Sequence, residues 1–169
     1  FYKNGLFQLK GNFKDGEKDG LVELFFENGQ LEEKQNWRDG KSNGLWEFFY
    51  ENGQLKGRGN YRDGIEDGLM ESYYRNGQLE FKLNSKDGVP VGLGERFYEN
   101  GQLKERGYYK DGKEDGMWEG FEENGQIEFT SYYINGTKVK RKKYLKQKTP
   151  NPVRSVKKEI RKKKKEKRK

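Results

Sequence analysis

"YENGQLKGRGNYRDGIEDGLMESYY", from Tyr50 to Tyr74, spans one full unit of a pattern that runs through most of the chain. The letters NGQL recur every 24 residues, at Asn28, Asn52, Asn76 and Asn100, with NGQI at Asn124 and a degenerate NGLF at Asn4. A fixed period of this size indicates stacked supersecondary units. Six such units fit between residues 1 and 144, the first degenerate in its turn and the sixth losing the pattern after residue 136.

Each unit carries two turn signals. Asn-Gly favours a two-residue type I′ hairpin turn, in which both central residues have positive φ. Asp-Gly recurs at Asp15, Asp39, Asp63, Asp87 and Asp111, with Asn135-Gly136 in the sixth place. Short strands between two turns per unit indicate an antiparallel meander. The predicted fold is therefore all-β, an elongated single-layer antiparallel sheet of repeated β-hairpins with about a dozen strands.

Charge predicts the strand register. If the Asn-Gly turns are two-residue loops and the Asp-Gly turns are four-residue loops, opposite charges face each other across successive strands. The resulting charge ladder runs through Lys10, Glu23, Lys34, Glu47, Arg58, Glu71, Lys82, Glu95, Arg106 and Glu119. Each facing pair of opposite charges contributes about 0.2–1 kcal/mol. A slip of one residue would disrupt the whole row.

The same register predicts two different faces. On the face of the charge ladder lie an aromatic column (Phe25, Phe49, Tyr73, Phe97, Phe121) and an aliphatic column (Leu21, Leu45, Leu69, Leu93, Met117). The other face pairs large rings with small residues, as in Trp46 opposite Gly59, and is expected to pair Tyr50 with Leu55 beside the turn. No helix in the repeats could cover either face. Because aromatic side chains beside charges are typical of contact surfaces, the aromatic column is the predicted partner-binding site.

Composition argues against catalysis. The chain has no cysteine and no histidine, which excludes disulfides, Cys/His zinc sites and chemistry that needs a thiolate or imidazole. Every glutamate has equivalent copies in other units, so no catalytic carboxylate pair stands out. The Asp-Gly-x-x-Asp-Gly loops could be calcium sites, but turn chemistry explains them, since Asp bonds its own backbone and Gly supplies positive φ. We therefore expect a protein that is not an enzyme and has no cofactor or metal.

Charge divides the chain in two. Residues 1–136 contain 18 basic and 26 acidic residues, a net charge of −8, whereas residues 137–169 contain 18 basic and 2 acidic residues, a net charge of +16. We predict a repeat domain over 1–136 and a basic tail over 137–169, with a short helix from Pro152 after Asn151 as its cap. The tail is either a solvated segment or an arm for polyanions. The candidate polyanion-binding residues are Lys157, Lys158, Arg161, Lys162, Lys163, Lys164, Lys165, Lys167, Arg168 and Lys169. Nucleic acid ranks above an anionic membrane because few apolar residues follow Ile160.

The segment from Tyr50 to Tyr74 closely resembles the MORN repeat (membrane occupation and recognition nexus), in a variant common in bacterial proteins, and the resemblance covers residues 1–136. It implies a twisted sheet of hairpins used for binding. It also suggests an antitoxin or immunity protein that binds and occludes a toxin, with a scaffold attached through its basic tail as the alternative. Family units often carry a basic residue or histidine just before the second turn glycine, where this chain has Asp19, Asn43, Asp67, Val91 and Asp115. That departure weakens the case for lipid binding by the repeats.

Location and assembly are expectations of the same kind. No signal peptide and no apolar run long enough to cross a membrane is visible, which predicts a cytoplasmic protein. The chain begins at Phe1 rather than Met, partway through a repeat-like motif, which indicates that its start is missing. Self-association is also expected, because a thin sheet leaves apolar columns and end strands uncovered.

Overall fold

The structure, a computed structural model, describes residues 1–144. Twelve strands form one open antiparallel sheet in chain order, and no helix occurs within that range. The strands are β1 (Leu9–Lys14), β2 (Glu17–Phe25), β3 (Leu31–Arg38), β4 (Lys41–Phe49), β5 (Leu55–Arg62), β6 (Ile65–Tyr73), β7 (Leu79–Lys86), β8 (Val89–Phe97), β9 (Leu103–Lys110), β10 (Lys113–Phe121), β11 (Ile127–Ile134) and β12 (Thr137–Lys143). The predicted all-β, single-layer architecture is confirmed.

The sheet continues past residue 136. Thr137–Lys143 forms β12, which pairs with β11 over its whole length. The predicted helix from Pro152 and the ten candidate polyanion-binding residues from Lys157 onward lie outside the described residues.

The Asp-Gly turns are two-residue hairpin loops. Arg62 pairs with Ile65 directly across Asp63-Gly64, and both turn residues have positive φ, 51° at Asp63 and 86° at Gly64. This is the pattern of a type I′ turn. The prediction of four-residue loops at these positions was wrong, because Asp tolerates the left-handed conformation well enough to occupy the first turn position itself.

The Asn-Gly turns are longer than predicted. The Tyr50 amide donates to the Gln54 carbonyl at 2.8 Å, and the Gly53 amide donates to the Tyr50 carbonyl at 2.8 Å. Only the glycine has positive φ, 83° at Gly53, as in a three-residue loop that ends in a left-handed glycine and a bulge. The two-residue type I′ assignment was therefore wrong. So was the pairing of Tyr50 with Leu55, since Leu55 faces Phe49.

The charge ladder nevertheless has the predicted register. Glu47 faces Arg58, Arg58 faces Glu71, and the remaining predicted pairs from Lys10–Glu23 to Arg106–Glu119 are also opposite each other. Irregular pairing beside each turn absorbs the difference in loop length, as between Gly59 and Tyr61. Since bulges can add or remove residues locally, side-chain pairing along the strands determines the register more strongly than turn length does.

The two faces differ in burial. We call the side that carries the charge ladder the ladder face and the other side the core face. The buried apolar residues of the described chain are Val22, Leu83, Trp118 and Tyr133, and strand alternation places all of them on the core face. There the ring of Trp118 lies over Gly107, where an added Cβ would overlap it. The core face therefore holds the packing, and the ladder face remains accessible.

Successive units are joined at their Asn-Gly turns. The Tyr74 hydroxyl donates to the Phe97 carbonyl at 2.8 Å, and the Asn76 side-chain amide donates to the Glu99 carbonyl at 2.8 Å. The same tyrosine bond recurs from Tyr2, Tyr50 and Tyr98, and the same asparagine bond from Asn4, Asn28 and Asn100. Each of these bonds spans 23 residues, so the 24-residue period places each turn against the next.

Candidate binding surfaces

The charge ladder is a row of cross-strand ion pairs. Arg58 Nε lies 2.5 Å from Glu71 Oε2, and Lys82 Nζ lies 2.6 Å from Glu95 Oε2. Arg106–Glu119 at 2.7 Å and Lys10–Glu23 at 3.8 Å continue the row. Pairs this exposed contribute at most about 1 kcal/mol each. Their main effect is on register and on the alternation of charge along the surface.

The aromatic column lies beside this row, as predicted. Its members, Phe25, Phe49, Tyr73, Phe97 and Phe121, are the last residues of β2, β4, β6, β8 and β10, and each is half-buried. The Tyr73 hydroxyl donates to Glu71 Oε2 at 3.0 Å, and Lys82 Nζ lies 6.0 Å from the centre of the Phe97 ring. These contacts place the column on the ladder face. Since its members occupy every second strand, neighbouring rings are about 10 Å apart.

Tyr73 is held in the neutral form. Its burial, followed by its hydrogen bond to Glu71, raises the pKa of the Tyr73 hydroxyl above its ordinary value. The protonated hydroxyl is the donor in the bond to Glu71 Oε2. Arg58 and Tyr73 both bind Glu71 Oε2, which fixes that carboxylate in the middle of the ladder face.

The aliphatic column borders the other side of the ladder. Its exposed fraction is 37% at Leu45 and 38% at Leu69, and rises to 56% at Met117. The ladder face thus presents apolar side chains on both sides of a row of paired charges. An arrangement of this kind suits contact with another macromolecule, because the charges orient a partner and the apolar groups release water on contact.

Two exposed tyrosines were missing from the predicted site. Tyr108 and Tyr132 lie on the ladder face of β9 and β11 with exposed fractions of 58% and 49%. The sequence contained a signal for them. At the same place in the four preceding units, at 24-residue intervals, stand Asn12, Asn36, Asn60 and Asn84.

The described residues hold no metal-binding cluster and no membrane-crossing helix. Across residues 1–144, no group of three or more acidic side chains lies close enough together to hold a metal ion. Within the same range, no helix is long and apolar enough to span a bilayer. The turn aspartates, such as Asp63, adopt the positive φ that their hairpins need.

A sheet assembled from 24-residue hairpin units defines a β-hairpin repeat protein. The sequence profile of the MORN repeat variant matches five stretches of 22 residues, at 18–39, 42–63, 66–87, 90–111 and 114–135. These stretches cover 110 of the 169 residues. The chain therefore belongs to the MORN repeat variant family, with five of the six predicted units matched. MORN repeats are typically protein- or membrane-binding modules.

Two solved structures show a distant likeness to the chain. The chain is similar to part of TarM from S. aureus, in a mutant crystallised with fondaparinux, α-GlcNAc-glycerol and UDP, at 12% identity and a TM-score of 0.39. That match covers 65% of this chain and 21% of the TarM chain. A second TarM structure matches at 15% identity and a TM-score of 0.37, over 63% of this chain and 21% of that one. No curated protein matches the sequence.

Proposed function

We propose that the chain is a non-catalytic cytoplasmic module that binds another protein through its ladder face. The observation that supports this is an uncovered ladder face, on which the aromatic and aliphatic columns flank a row of ion pairs. The packing that stabilises each unit lies on the core face and at the turns. The ladder face is therefore free to carry a function.

The partner is proposed to be a toxin that this protein occludes, as an antitoxin or immunity protein would. The net charge of −8 over residues 1–136 supports a partner with a basic surface, such as a protein that cleaves nucleic acid. Exposed acidic residues near the Asn-Gly turns, including Glu51, Glu99 and Glu123, add negative charge beside the paired charges of the ladder. Rim charges of this kind accelerate association with a basic partner.

A triple substitution tests the site. The purified full chain is used to capture proteins from source cells, beside the variant Phe49→Ala/Tyr73→Ala/Phe97→Ala and the control Phe13→Ala. Phe13 is an exposed aromatic residue of β1, outside the column. We expect the triple variant to retain its circular dichroism spectrum but to bind the captured protein at least about tenfold more weakly, since aromatic anchors dominate interfaces.

The same experiment can contradict the proposal. Undiminished capture by the triple variant would remove the ladder face from partner binding. For the antitoxin function, the captured protein is expressed alone and together with this chain. Growth inhibition that co-expression relieves supports occlusion, and a harmless partner refutes the antitoxin role while leaving the binding site in place.

A second candidate is a scaffold attached to nucleic acid through its basic C-terminal region. The observation that favours it is the composition of β12, which carries five basic residues and no acidic residue in seven positions, all of them exposed. Binding that falls steeply with salt and disappears when residues 137–169 are deleted is the expected result. Salt-independent binding, or no polyanion binding by the full chain, would refute this candidate.

A further inference from the structure

Tyr108 and Tyr132 stand where the four earlier units have asparagine. In an earlier unit the equivalent Asn36 donates to the Leu45 carbonyl at 3.0 Å and lies against Gly44 at the bulge. At Gly116, the glycine that Tyr108 would cover, an added Cβ would meet no atom within 4 Å. Gly92, beside Asn84, is equally open, whereas Gly20, Gly44 and Gly68 lie against the asparagines of the first three units. The Tyr108 ring therefore does not cover the bulge in the way that those three asparagines do.

The two tyrosines lie in one apolar patch across four strands. Leu93 pairs with Tyr108, and Met117 pairs with Tyr132. A cleft of about 440 Å³ lies among these strands, lined by Leu93, Arg106, Gly107, Tyr108, Met117 and Glu119. Since Tyr108 and Tyr132 are two strands apart, their rings are separated by about 10 Å, with Met117 on the strand between them.

A basic strand borders this patch. Lys140 pairs with Tyr132, and Lys142 pairs with Thr130, so both lysines share the ladder face with Tyr132. The carboxylate of the cleft, Glu119, is neutralised by Arg106 at 2.7 Å. This end of the sheet therefore combines two exposed aromatic rings with two exposed lysines, of which Lys142 also lies 4.7 Å from the centre of the Tyr144 ring.

We propose that the ladder face of β9–β12 binds single-stranded nucleic acid. Tyr108 and Tyr132 provide the flat rings on which unpaired bases stack, while Lys140 and Lys142 bind the phosphates that link them. Met117 and Leu93 form an apolar floor between and beside the stacked bases. The proposal deepens the second candidate function, because β12 begins the basic region, and it does not depend on the protein-binding site at the aromatic column.

The arrangement selects single strands over duplexes. A ring on an open sheet can stack only on a base that is not already stacked between its neighbours. Bases inside a duplex are stacked in that way and are therefore not accessible to the ring. Lysines alone would bind either form according to its charge density. The tyrosines thus predict a preference that a basic tail by itself would not have.

The test is fluorescence anisotropy of the full chain with a labelled oligouridine, beside an RNA duplex of equal length. The variant Tyr108→Asn/Tyr132→Asn restores the residue that other units carry, which keeps the repeat intact. We expect its affinity for oligouridine to fall about tenfold or more, with the slope of log affinity against log salt unchanged. The variant Lys140→Gln/Lys142→Gln should instead lower that slope by about 1.4, from two phosphates at about 0.7 each.

Phe13→Asn on β1 is the control and should bind like the wild type. The proposal is overturned if the tyrosine variant binds oligouridine as tightly as the wild type, or if the wild type binds duplex equally well. In either case the basic C-terminal region alone holds the polyanion, and the second candidate survives without this site. Absence of polyanion binding by the full chain refutes both the second candidate function and the proposed site on β9–β12. Loss of a captured protein from the tyrosine variant, without oligouridine binding by the wild type, assigns the patch to a protein partner and overturns the proposal.

Discussion

Removing one hydroxyl from the turn of a central unit should measure the coupling between units. Tyr74→Phe deletes the donor of the 2.8 Å bond to the Phe97 carbonyl and leaves the ring unchanged. A half-buried hydrogen bond of this kind contributes about 1 kcal/mol to the free energy of unfolding. For a chain of this size that corresponds to a fall of about 3–4 °C in Tm.

The chain supplies its own reciprocal variant. Position 26 has phenylalanine where Tyr2, Tyr50, Tyr74 and Tyr98 stand in other units. Phe26→Tyr should place a hydroxyl near the Phe49 carbonyl and raise the free energy of unfolding by a similar or smaller amount. In a repeat protein stability depends on interfaces between neighbours, so Tyr74→Phe in the middle should also cost more than Tyr2→Phe at the end.

Urea unfolding followed by tryptophan fluorescence and by circular dichroism is the assay, with both probes compared for coincidence. If Tyr74→Phe unfolds at the wild-type urea concentration, the turn bonds do not stabilise the stack. If Phe26→Tyr destabilises the protein as much as Tyr74→Phe does, the effect comes from ring packing, and the hydroxyl argument is refuted.

Substitutions at three other positions test the packing, the turns and the effect of pH. Gly107→Ala should cost about 1–3 kcal/mol in unfolding free energy because its methyl overlaps the Trp118 ring, and urea unfolding equal to wild type would contradict the core-face packing. Asp63→Ala should cost about 1 kcal/mol because its φ of 51° is left-handed, whereas Asp63→Asn should be nearly neutral in the same measurement. Burial raises the pKa of Tyr61 to about 12 from an ordinary value of 10.0. Because Tyr61 in the unfolded state then loses its proton at lower pH than in the folded state, its contribution to the free energy of unfolding should be fully present below pH 10 and decline between pH 10 and 12. Thermal melts across that range should show a smaller decline for Tyr61→Phe, and an equal decline would remove Tyr61 as a cause.

The repeat made much of the fold readable from sequence. Its period determined the number of hairpins, and alternating charge determined which residues face each other, as in Glu47 opposite Arg58. The turn signals recur along the repeats and the charge alternation runs from Lys10 to Glu119, so an error in one unit would conflict with its neighbours. The aromatic column follows from the same register, because strand alternation alone puts Phe49 and Tyr73 on the face of Glu47 and Glu71.

Turn geometry could not be predicted in the same way. A two-residue loop and a three-residue loop with a bulge lead to the same pairing of Glu47 with Arg58, so the sequence pattern is compatible with both. The structure has the three-residue loop, which the Tyr50 and Gln54 backbones close. In this geometry the Tyr50 hydroxyl donates to the Tyr73 carbonyl of the next unit at 2.7 Å.

What the sequence determined by itself was therefore the unit, the strand pairs away from its turns and the residues that share the ladder face, because these depend on neighbours within about one period. What only the tertiary structure decided was how one unit rests on the next and which exposed groups lie together. Tyr108 and Tyr132 stand 24 residues apart in the chain, and Lys140 lies in a segment of different composition. They form one patch because β9, β10, β11 and β12 lie in that order in the sheet, and that juxtaposition exists only after the strands have paired.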